Sequence, residues 1–339
     1  MLRAVRLATQ FDLTIEPTTA AAIRELAEQI TLISAERIAE EIRRLLVHPR
    51  RTRGLELLRD LNLLKPIFPE LADMPHFVLP DREAPATTNA ASEAKVQQPE
   101  TVSANRLSTT NSPADTALAQ EKSSQSRFTL WHHTLQVLDY LTGPTFPLAL
   151  AALFHDAGKM YVTVQPLTAA SASQLPVALP LSRGPFPGHE SVSAKLVEQA
   201  GRRLRLSNAE WHRAAWLVAH HHALDVPWNL PWHQLKPMLA HPAIDELLVL
   251  MEADARANSR GLEHVQFCRD KLREWPAEVL NPPPLITGED LLEMGLQPGP
   301  IFGKILQSVR DAQLDGAVPT REEALHLARQ LARQYSGLE

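Results

Sequence analysis

The chain has little cysteine, little glycine and no long apolar run. A single cysteine, Cys268, stands among 339 residues, which excludes disulfide frameworks and zinc sites built from several thiolates. No stretch of about 18 or more consecutive apolar residues occurs, so a transmembrane helix is not expected. Arg3, Arg6 and Asp12 interrupt the apolar positions of the N-terminus. A signal peptide has a continuous apolar region, so none is expected here. We therefore expect a cytoplasmic protein without a membrane partner.

A large excess of charge of either sign is also lacking. The net charge is −5, with 22% of residues charged and 44% hydrophobic, which is ordinary for a globular protein with a sizeable core. Any basic surface for a nucleic acid must therefore be local. Only 13 glycines accompany 27 prolines, and this balance favours helices that are separated by proline-marked breaks.

Apolar residues recur at helical spacing through most of the chain. Ile38, Ile42, Leu45 and Leu46 form one such stripe, and similar stripes follow in the second half of the chain. Ser207 is expected to cap a helix that begins at the next residue. The pattern predicts an all-α protein.

One long segment lacks aromatic residues altogether. No aromatic residue lies between Phe77 and Phe128, and Ala, Ser, Thr, Pro, Asn and Gln dominate this stretch. Such a composition buries too little apolar surface to offset the entropy of ordering. It predicts a disordered linker over residues 80–127. A second irregular segment, 161–187, is expected to hold a small hairpin around a polar loop.

Histidine and aspartate are concentrated at predicted helices of the second half. The apolar run 148–154 ends in an adjacent His-Asp pair, followed by Gly158 and Lys159. A buried charge is costly unless it is paired or coordinates an ion. Imidazole and carboxylate ligands suit Mn, Fe, Ni, Co, Zn or, with more water, Mg. The candidate ligands, in chain order, are His133, His155, Asp156, His189, His220, His221 and Asp254.

Each of these residues also has a structural interpretation. A lone histidine such as His133 is more often a hydrogen-bonded core residue, and Asp254 alone could be a charge on a helix face. The ordered set is much more specific than any member. The sequence does not decide which of His220 and His221 points inward, although His221 is favoured. Lys159, just beyond the helix break, could bind phosphate or donate a proton.

A basic cluster lies in the first region, with no acidic residue from 42 to 55. One interpretation is a solvated helix end whose cations complement the helix C-terminus. The other is phosphate contact, because guanidinium groups match phosphate oxygens. The cluster consists of Arg43, Arg44, Arg50, Arg51 and Arg53.

The order His…His-Asp…Asp resembles the HD phosphohydrolase superfamily, and residues 155–159 are similar to its signature. The resemblance implies that His133, His155, Asp156 and Asp254 are core metal ligands. His189 and one of His220 or His221 would then serve a second ion, as in the two-metal subset, or the substrate. It further implies a metal-dependent phosphohydrolase in which Asp156 and Lys159 are catalytic. One or two divalent ions are implied, without their identity.

Most of the remaining chain resembles the neck, body and tail of bacterial tRNA nucleotidyltransferases and poly(A) polymerases. The similar motifs occur in order at residues 1–11, 15–17, 34–38, 57–71, 285–292, 295–303 and 321–324. The resemblance implies contact with RNA, and with tRNA in particular, through the basic cluster. It adds Arg3 and Arg6 as candidates that face the nucleotide or the primer end.

The chain departs from that family in one respect. The Gly-Ser loop and the paired carboxylates of the nucleotidyltransferase head are not found, so nucleotide addition is not expected from this chain alone. The expected organisation is a neck and body at 1–79, a linker at 80–127, an HD helical bundle at 128–275 and a small helical tail at 276–339. Three hypotheses remain: an RNA-binding phosphohydrolase in tRNA 3′-end processing, a non-catalytic partner half of a separately encoded head, or a truncated gene product.

Overall fold

The computed structural model describes residues 1–79, 128–162 and 186–336. Across these ranges the regular structure consists of α-helices and short 3-10 helices, with one isolated bridge between Val78 and Thr129 and no sheet. The all-α prediction is confirmed. The predicted linker at 80–127 and most of the predicted hairpin lie outside the described residues.

The N-terminal part is a cluster of short helices, the body. Its second helix begins at a proline in the first turn, where the missing N–H costs nothing, and Glu16 accepts hydrogen bonds from the N–H groups of Thr18 and Thr19. The body helices are α1 (Leu2–Phe11), α2 (Pro17–Glu25), α3 (Ala35–Leu46), α4 (Arg51–Asp60) and α5 (Leu64–Ile67), with 3-10 helices at Ala27–Leu32 and Pro69–Leu71.

The middle part is a helical bundle. As predicted, Ser207 caps one of its helices and shares a reciprocal capping box with Glu210, which satisfies N–H groups that lack a partner in the first turn. The helices are α6 (Leu130–Tyr140), α7 (Phe146–Phe154), α8 (His189–Arg203), α9 (Asn208–His220), α10 (Trp232–Leu239), α11 (Ile244–Ala257) and α12 (Glu263–Glu274), with 3-10 helices at Ala157–Met160 and Pro227–Asn229.

The body and the bundle share one hydrophobic core. Phe68 of the body and Phe154 of α7 are fully buried, and their rings meet edge-on at a centroid distance of 5.7 Å. Leu79 N–H donates to Phe128 O over 3.1 Å and Leu130 N–H to Phe77 O over 2.9 Å. The two residues that flank the segment 80–127 therefore lie side by side.

Buried arginine also joins the two parts. Arg51, at the start of α4, is 2% exposed and donates to Leu46 O at the end of α3 over 2.9 Å. The same guanidinium donates to Leu138 O and Leu141 O at the end of α6, over 2.7 and 2.9 Å. The last carbonyls of a helix have no partner within the helix, so one side chain caps two helix ends.

The tail has a small core of its own. Leu291, Ile305 and Val309 are among its buried residues, and Thr287 forms a capping box with Asp290. The tail contacts the bundle where Lys236 Nζ of α10 donates to Leu314 O over 2.6 Å. Its helices are α13 (Ala277–Leu280), which links it to the bundle, α14 (Gly288–Glu293), α15 (Pro300–Leu314) and α16 (Arg321–Ser336).

No helix in the described ranges is both long and apolar enough to cross a bilayer.

Candidate metal centre

The helix that leads into the site is almost uniformly apolar. Every residue of α7 except Pro147 is buried, so the helix passes through the core, not along the surface. His155 and Asp156 follow its last turn and are at most 1% exposed. The polar side chains of His155 and Asp156 therefore lie in an enclosed position within the core.

The first group of candidate ligands comes from three separate helical segments. His133 of α6, His155 after α7 and Asp254 of α11 each offer one ligand atom, and these atoms lie within 4.8 Å of one another. His133 Nε2 is 3.1 Å from Asp254 Oδ1 and 3.2 Å from His155 Nε2. All three side chains are buried.

The second group shares the bundle with the first. Asp156, His189 at the start of α8, His221 after α9 and His222 offer ligand atoms that also lie within 4.8 Å of one another. His189 Nε2 is 3.1 Å from Asp156 Oδ1, and His221 Nε2 is 3.6 Å from the same oxygen.

Asp156 faces both groups, one carboxylate oxygen to each. Its Oδ2 is 3.4 Å from the Nε2 atoms of both His133 and His155, whereas its Oδ1 faces the Nε2 atoms of His189 and His221. A carboxylate in this position can bridge two cations.

The protonation of the histidines follows from their outer hydrogen bonds. Nδ1 of His155 donates to Ala152 O over 2.8 Å, and Nδ1 of His221 donates to Val218 O over 2.7 Å. His189 Nδ1 likewise donates to a backbone carbonyl over 2.8 Å. A carbonyl can only accept, so each neutral ring presents a lone pair at Nε2. Metal-binding histidines are held in the same way.

The inward atoms of the second group have no partner among the described residues. Asp156 Oδ1, His189 Nε2 and His221 Nε2 are buried and accept no hydrogen bond there. Lone pairs that converge in a buried space repel one another unless a cation lies between them. The donor set therefore fits divalent cations.

The pKa shifts that the chain's own residues cause also fit a cation-binding site. Burial lowers the pKa of His133, but Asp156 and Asp254 outweigh this effect and raise it to about 9. Burial and the neighbouring His222 lower the pKa of His221 to about 3. Burial raises the pKa of Asp156, yet Lys159 and the histidines hold it well below its ordinary value. The site thus presents ionised carboxylates and a neutral His221.

The structure separates the adjacent histidines. His220 lies outside both groups: its Nδ1 donates to Trp216 O over 2.8 Å and its ring stacks on Trp216 at 4.5 Å. His222 lies in the second group, and its Nδ1 donates to Asp225 Oδ2 over 2.9 Å. His220 and His221 were the candidates predicted from the sequence, and His222 was not among them.

Two further charged residues at the site were not predicted. Glu190 is 8% exposed and its Oε2 is 3.5 Å from His189 Nδ1. Arg260 forms an ion pair with Asp254. Neither has a local sequence signal beyond its position near a candidate ligand. Lys159, which was predicted, lies 2.6 Å from Asp156 Oδ2, with 18% of its side chain exposed.

The arginines predicted to contact RNA divide into several environments. The prediction that Arg51 contacts RNA is wrong. Its side chain is buried and donates to three backbone carbonyls, so it cannot reach a phosphate. Arg50 donates to Thr9 O and Gln10 O over 3.4 and 3.3 Å, at the end of α1. Arg53 donates to Leu13 O over 2.8 Å and pairs with Asp12. The helix-end interpretation therefore describes part of the cluster.

The other predicted arginines are paired or exposed. Arg43 makes a two-pronged ion pair with Glu210 over 2.7 and 2.9 Å, joining α3 to α9. Arg6 pairs with Glu41 over 2.5 Å. Arg44 pairs with Glu40 and is 58% exposed, and Arg3 is exposed.

Glycine at 158 brings α8 against the site. A Cβ at this position would lie 2.2 Å from His189 O and 2.8 Å from Ser193 N. We expect Gly158→Ala to push α8 away, to lower stability by about 1–3 kcal/mol and to weaken divalent-metal binding at least tenfold, on the order of 1.4 kcal/mol. Urea denaturation and metal titration of the variant measure both effects.

Gly303→Ala in α15 is the matched control, because no atom lies within 4 Å of a Cβ built there. Its metal affinity should equal that of the original chain, and its helix should be as stable or slightly more so. Unchanged metal affinity in Gly158→Ala would show that the close approach of α8 does not position the ligands.

Three family models match this chain. The HD domain model matches residues 130–259 and the "Probable RNA and SrmB-binding site of polymerase A" model matches residues 12–74. A model of tRNA nucleotidyltransferase domain 2 matches residues 197–328. Together they cover the body, the bundle and most of the tail.

Curated relatives extend over nearly the whole chain. It is 30% identical to the CC-adding tRNA nucleotidyltransferase of Thermus thermophilus, over 95% of this chain and 64% of that protein. It is 28% identical to the A-adding tRNA nucleotidyltransferase of Deinococcus radiodurans, over 99% of this chain and 68% of that protein. The chain is thus similar to tRNA nucleotidyltransferases along nearly its whole length. It spans about two thirds of the length of these two relatives.

A third relative matches a shorter part of this chain. The multifunctional CCA protein of Dechloromonas aromatica is 27% identical over 66% of this chain and 41% of its own length. The resemblance to the neck, body and tail of the family, with an HD domain between them, is confirmed.

Proposed function

We propose that this chain is an RNA-binding protein with a metal-dependent phosphohydrolase site. The observation that carries the proposal is the position of Asp156, whose two oxygens face two separate histidine groups. A shared carboxylate between two ligand sets is the arrangement of two-metal phosphatases and nucleases. The match to the HD domain supports the same class of reaction.

His133, His155 and Asp254 would hold one divalent ion and His189 and His221 a second, with Asp156 between them. When bound, such ions stabilise charge on phosphoryl oxygens and activate water. The chain itself contributes the enclosed position, since these ligands are at most 3% exposed. Enclosure strengthens each electrostatic contact with the substrate.

Lys159 is the chain's own cation at the edge of this site. Its ammonium group lies 2.6 Å from Asp156 and is partly exposed, so it can reach an incoming phosphate while held in place by the carboxylate. We assign it to binding a phosphoryl oxygen or donating a proton to the leaving oxygen. The proposed substrates are terminal phosphates and 2′,3′-cyclic phosphates of RNA or nucleotides.

RNA, and tRNA in particular, is the proposed partner of the body. The match of residues 12–74 to an RNA-binding family model and the names of the relatives support it. Shape-based contact with the RNA backbone needs cations at the surface, not base-specific groups. The candidate contacts are Arg3, Arg6, Arg43, Arg44, Arg50 and Arg53.

A second candidate function follows from the relatives' names. Proteins that add CC or A to tRNA match this chain along its length, which supports a role in holding tRNA for nucleotide addition by a head domain. In that case the metal centre is structural or idle. Binding of tRNA is expected under both functions, and hydrolysis under the first alone.

The test is hydrolysis by the purified chain after addition of Mn²⁺, Ni²⁺, Co²⁺, Zn²⁺ or Mg²⁺ to metal-free protein. We expect phosphate release from an RNA terminal phosphate or opening of a 2′,3′-cyclic phosphate with at least one of these ions, and bound metal by elemental analysis. Bound tRNA with neither bound metal nor hydrolysis would favour the second function and reject the first.

A further inference from the structure

We infer that Arg260 binds the phosphate group of the substrate at the metal centre. This inference rests on the proposed phosphohydrolase function and names the residue that would recognise the anion. Neither the resemblance to the HD superfamily nor the candidate ligand set includes Arg260.

The backbone fixes the position of Arg260 at the end of α11. Ser259 has a left-handed φ of 50°, Ser259 N–H donates to Arg256 O over 3.0 Å and Arg260 N–H donates to Ala255 O over 2.7 Å. This pair of bonds is the Schellman motif that ends a helix. It turns the chain back, so the Arg260 side chain returns to Asp254, six residues earlier.

The guanidinium contacts the first ligand group directly and lies near a residue that supports the second. Its Nη2 donates to Asp254 Oδ2, and its Nη1 is 3.7 Å from Asp225 Oδ2. Asp254 belongs to the first group, and Asp225 accepts the Nδ1–H of His222 in the second. An anion beside Asp254 is therefore within reach of the Arg260 side chain.

Exposure distinguishes Arg260 from a purely structural cation. Its side chain is 40% exposed, whereas that of Asp254 is 4% exposed, so the guanidinium lies between the buried Asp254 carboxylate and solvent. Of its five N–H donors, the described residues accept one hydrogen bond, at Asp254. Donors remain for the two oxygens of a phosphate, which the planar guanidinium fork matches.

Charge gives a physical reason for a cation at this position. A guanidinium beside Asp254 competes with any metal ion that this carboxylate holds, because like charges repel. An anion bound between the guanidinium and the metal ions would offset the repulsion between these cations, because each of them attracts it. Lys159 likewise pairs with Asp156, at the oxygen that faces the first group, so each of these two ligand aspartates carries a cation.

The experiment compares Arg260→Gln and Arg260→Lys with the control Arg256→Gln. Arg256 lies on the same helix, pairs with Glu252 and is 49% exposed. Inorganic phosphate, the reaction product, is titrated by calorimetry into each protein loaded with Mn²⁺, and bound manganese is measured by atomic absorption. This readout does not depend on turnover.

We expect Arg260→Gln to raise the Kd for phosphate roughly 10- to 100-fold, the effect of losing a charge-assisted hydrogen bond, with bound manganese unchanged. Arg260→Lys should recover part of the loss, since it keeps the charge but not the fork. Arg256→Gln should bind phosphate as the original chain does. The KM for a phosphoester should rise with the Kd while kcat changes less.

Unchanged phosphate affinity in Arg260→Gln would overturn the inference. Loss of manganese in parallel with phosphate would also overturn it, because Arg260 would then serve only to position Asp254. A chain that binds manganese and phosphate through Arg260 but hydrolyses no phosphoester would reject the proposed function and leave the phosphate site standing.

Discussion

Asp156→Ala should lower metal-dependent phosphoester hydrolysis by a factor of at least about 1,000, the loss expected when a charged group essential to transition-state stabilisation is removed. Among the residues that the structure describes, Asp156 is the one carboxylate that faces both histidine groups, so its removal affects both candidate ions at once. Bound metal should fall in the same variant. Turnover of an RNA terminal phosphate and elemental analysis of the purified protein measure the two losses.

Two comparisons make the test specific. Asp156→Asn keeps the shape of the side chain and removes its charge, so it separates electrostatics from packing. Asp139→Ala removes an exposed carboxylate that accepts a hydrogen bond from Thr52 over 2.8 Å, away from the site. Both Asp156 variants should bind tRNA as the original chain does, because the predicted contacts lie in the body. Hydrolysis that survives in Asp156→Ala would reject the metal-centre assignment.

Arg51→Met should destabilise the fold by about 2–4 kcal/mol, because it removes the side-chain donor from Leu46 O and Leu141 O, and each buried carbonyl without a donor costs about 1–3 kcal/mol. Leu138 O keeps the Leu141 N–H as a donor. Those carbonyls end α3 and α6, and α6 carries His133. Burial lowers the pKa of Arg51, and the relief from no longer burying this charge offsets part of the loss. Urea denaturation measures the change in the free energy of unfolding.

Arg44→Met is the matched control. Arg44 belongs to the same basic cluster but is 58% exposed and pairs with Glu40, and exposed ion pairs contribute about 0–1 kcal/mol. Its stability should stay within about 0.5 kcal/mol of the original chain. Equal destabilisation of the two variants would mean that the caps made by Arg51 do not support the junction between body and bundle.

The basic cluster marks the limit of what local sequence can predict. A run of arginines without acidic residues is compatible with a helix end or with a phosphate surface, and local spacing cannot show that ion-pair partners come from distant parts of the chain. Glu210 lies 167 positions from Arg43, and Leu138 lies 87 positions from Arg51. Pairing across such separations depends on how helices pack, and helical periodicity carries no information about it.

The sequence by itself determined the helical class, the cap at Ser207 and the ordered set of histidines and aspartates. These follow from local chemistry: apolar spacing, polar caps, and a His-Asp pair at the end of a buried helix. The family resemblance rests on the same local motifs. None of these local patterns predicts which side chains contact one another in the folded protein.

Only the tertiary structure decided how that set divides around Asp156. Successive residues at a helix end point about 100° apart, so the triplet 220–222 cannot face one centre equally. Packing turned His221 and His222 inward and left His220 stacked on Trp216. The Schellman turn returned Arg260 to Asp254. The candidate ligands converge only in the packed bundle, because each helix supplies a single face to the shared centre. They lie on or next to α6, α7, α8, α9 and α11.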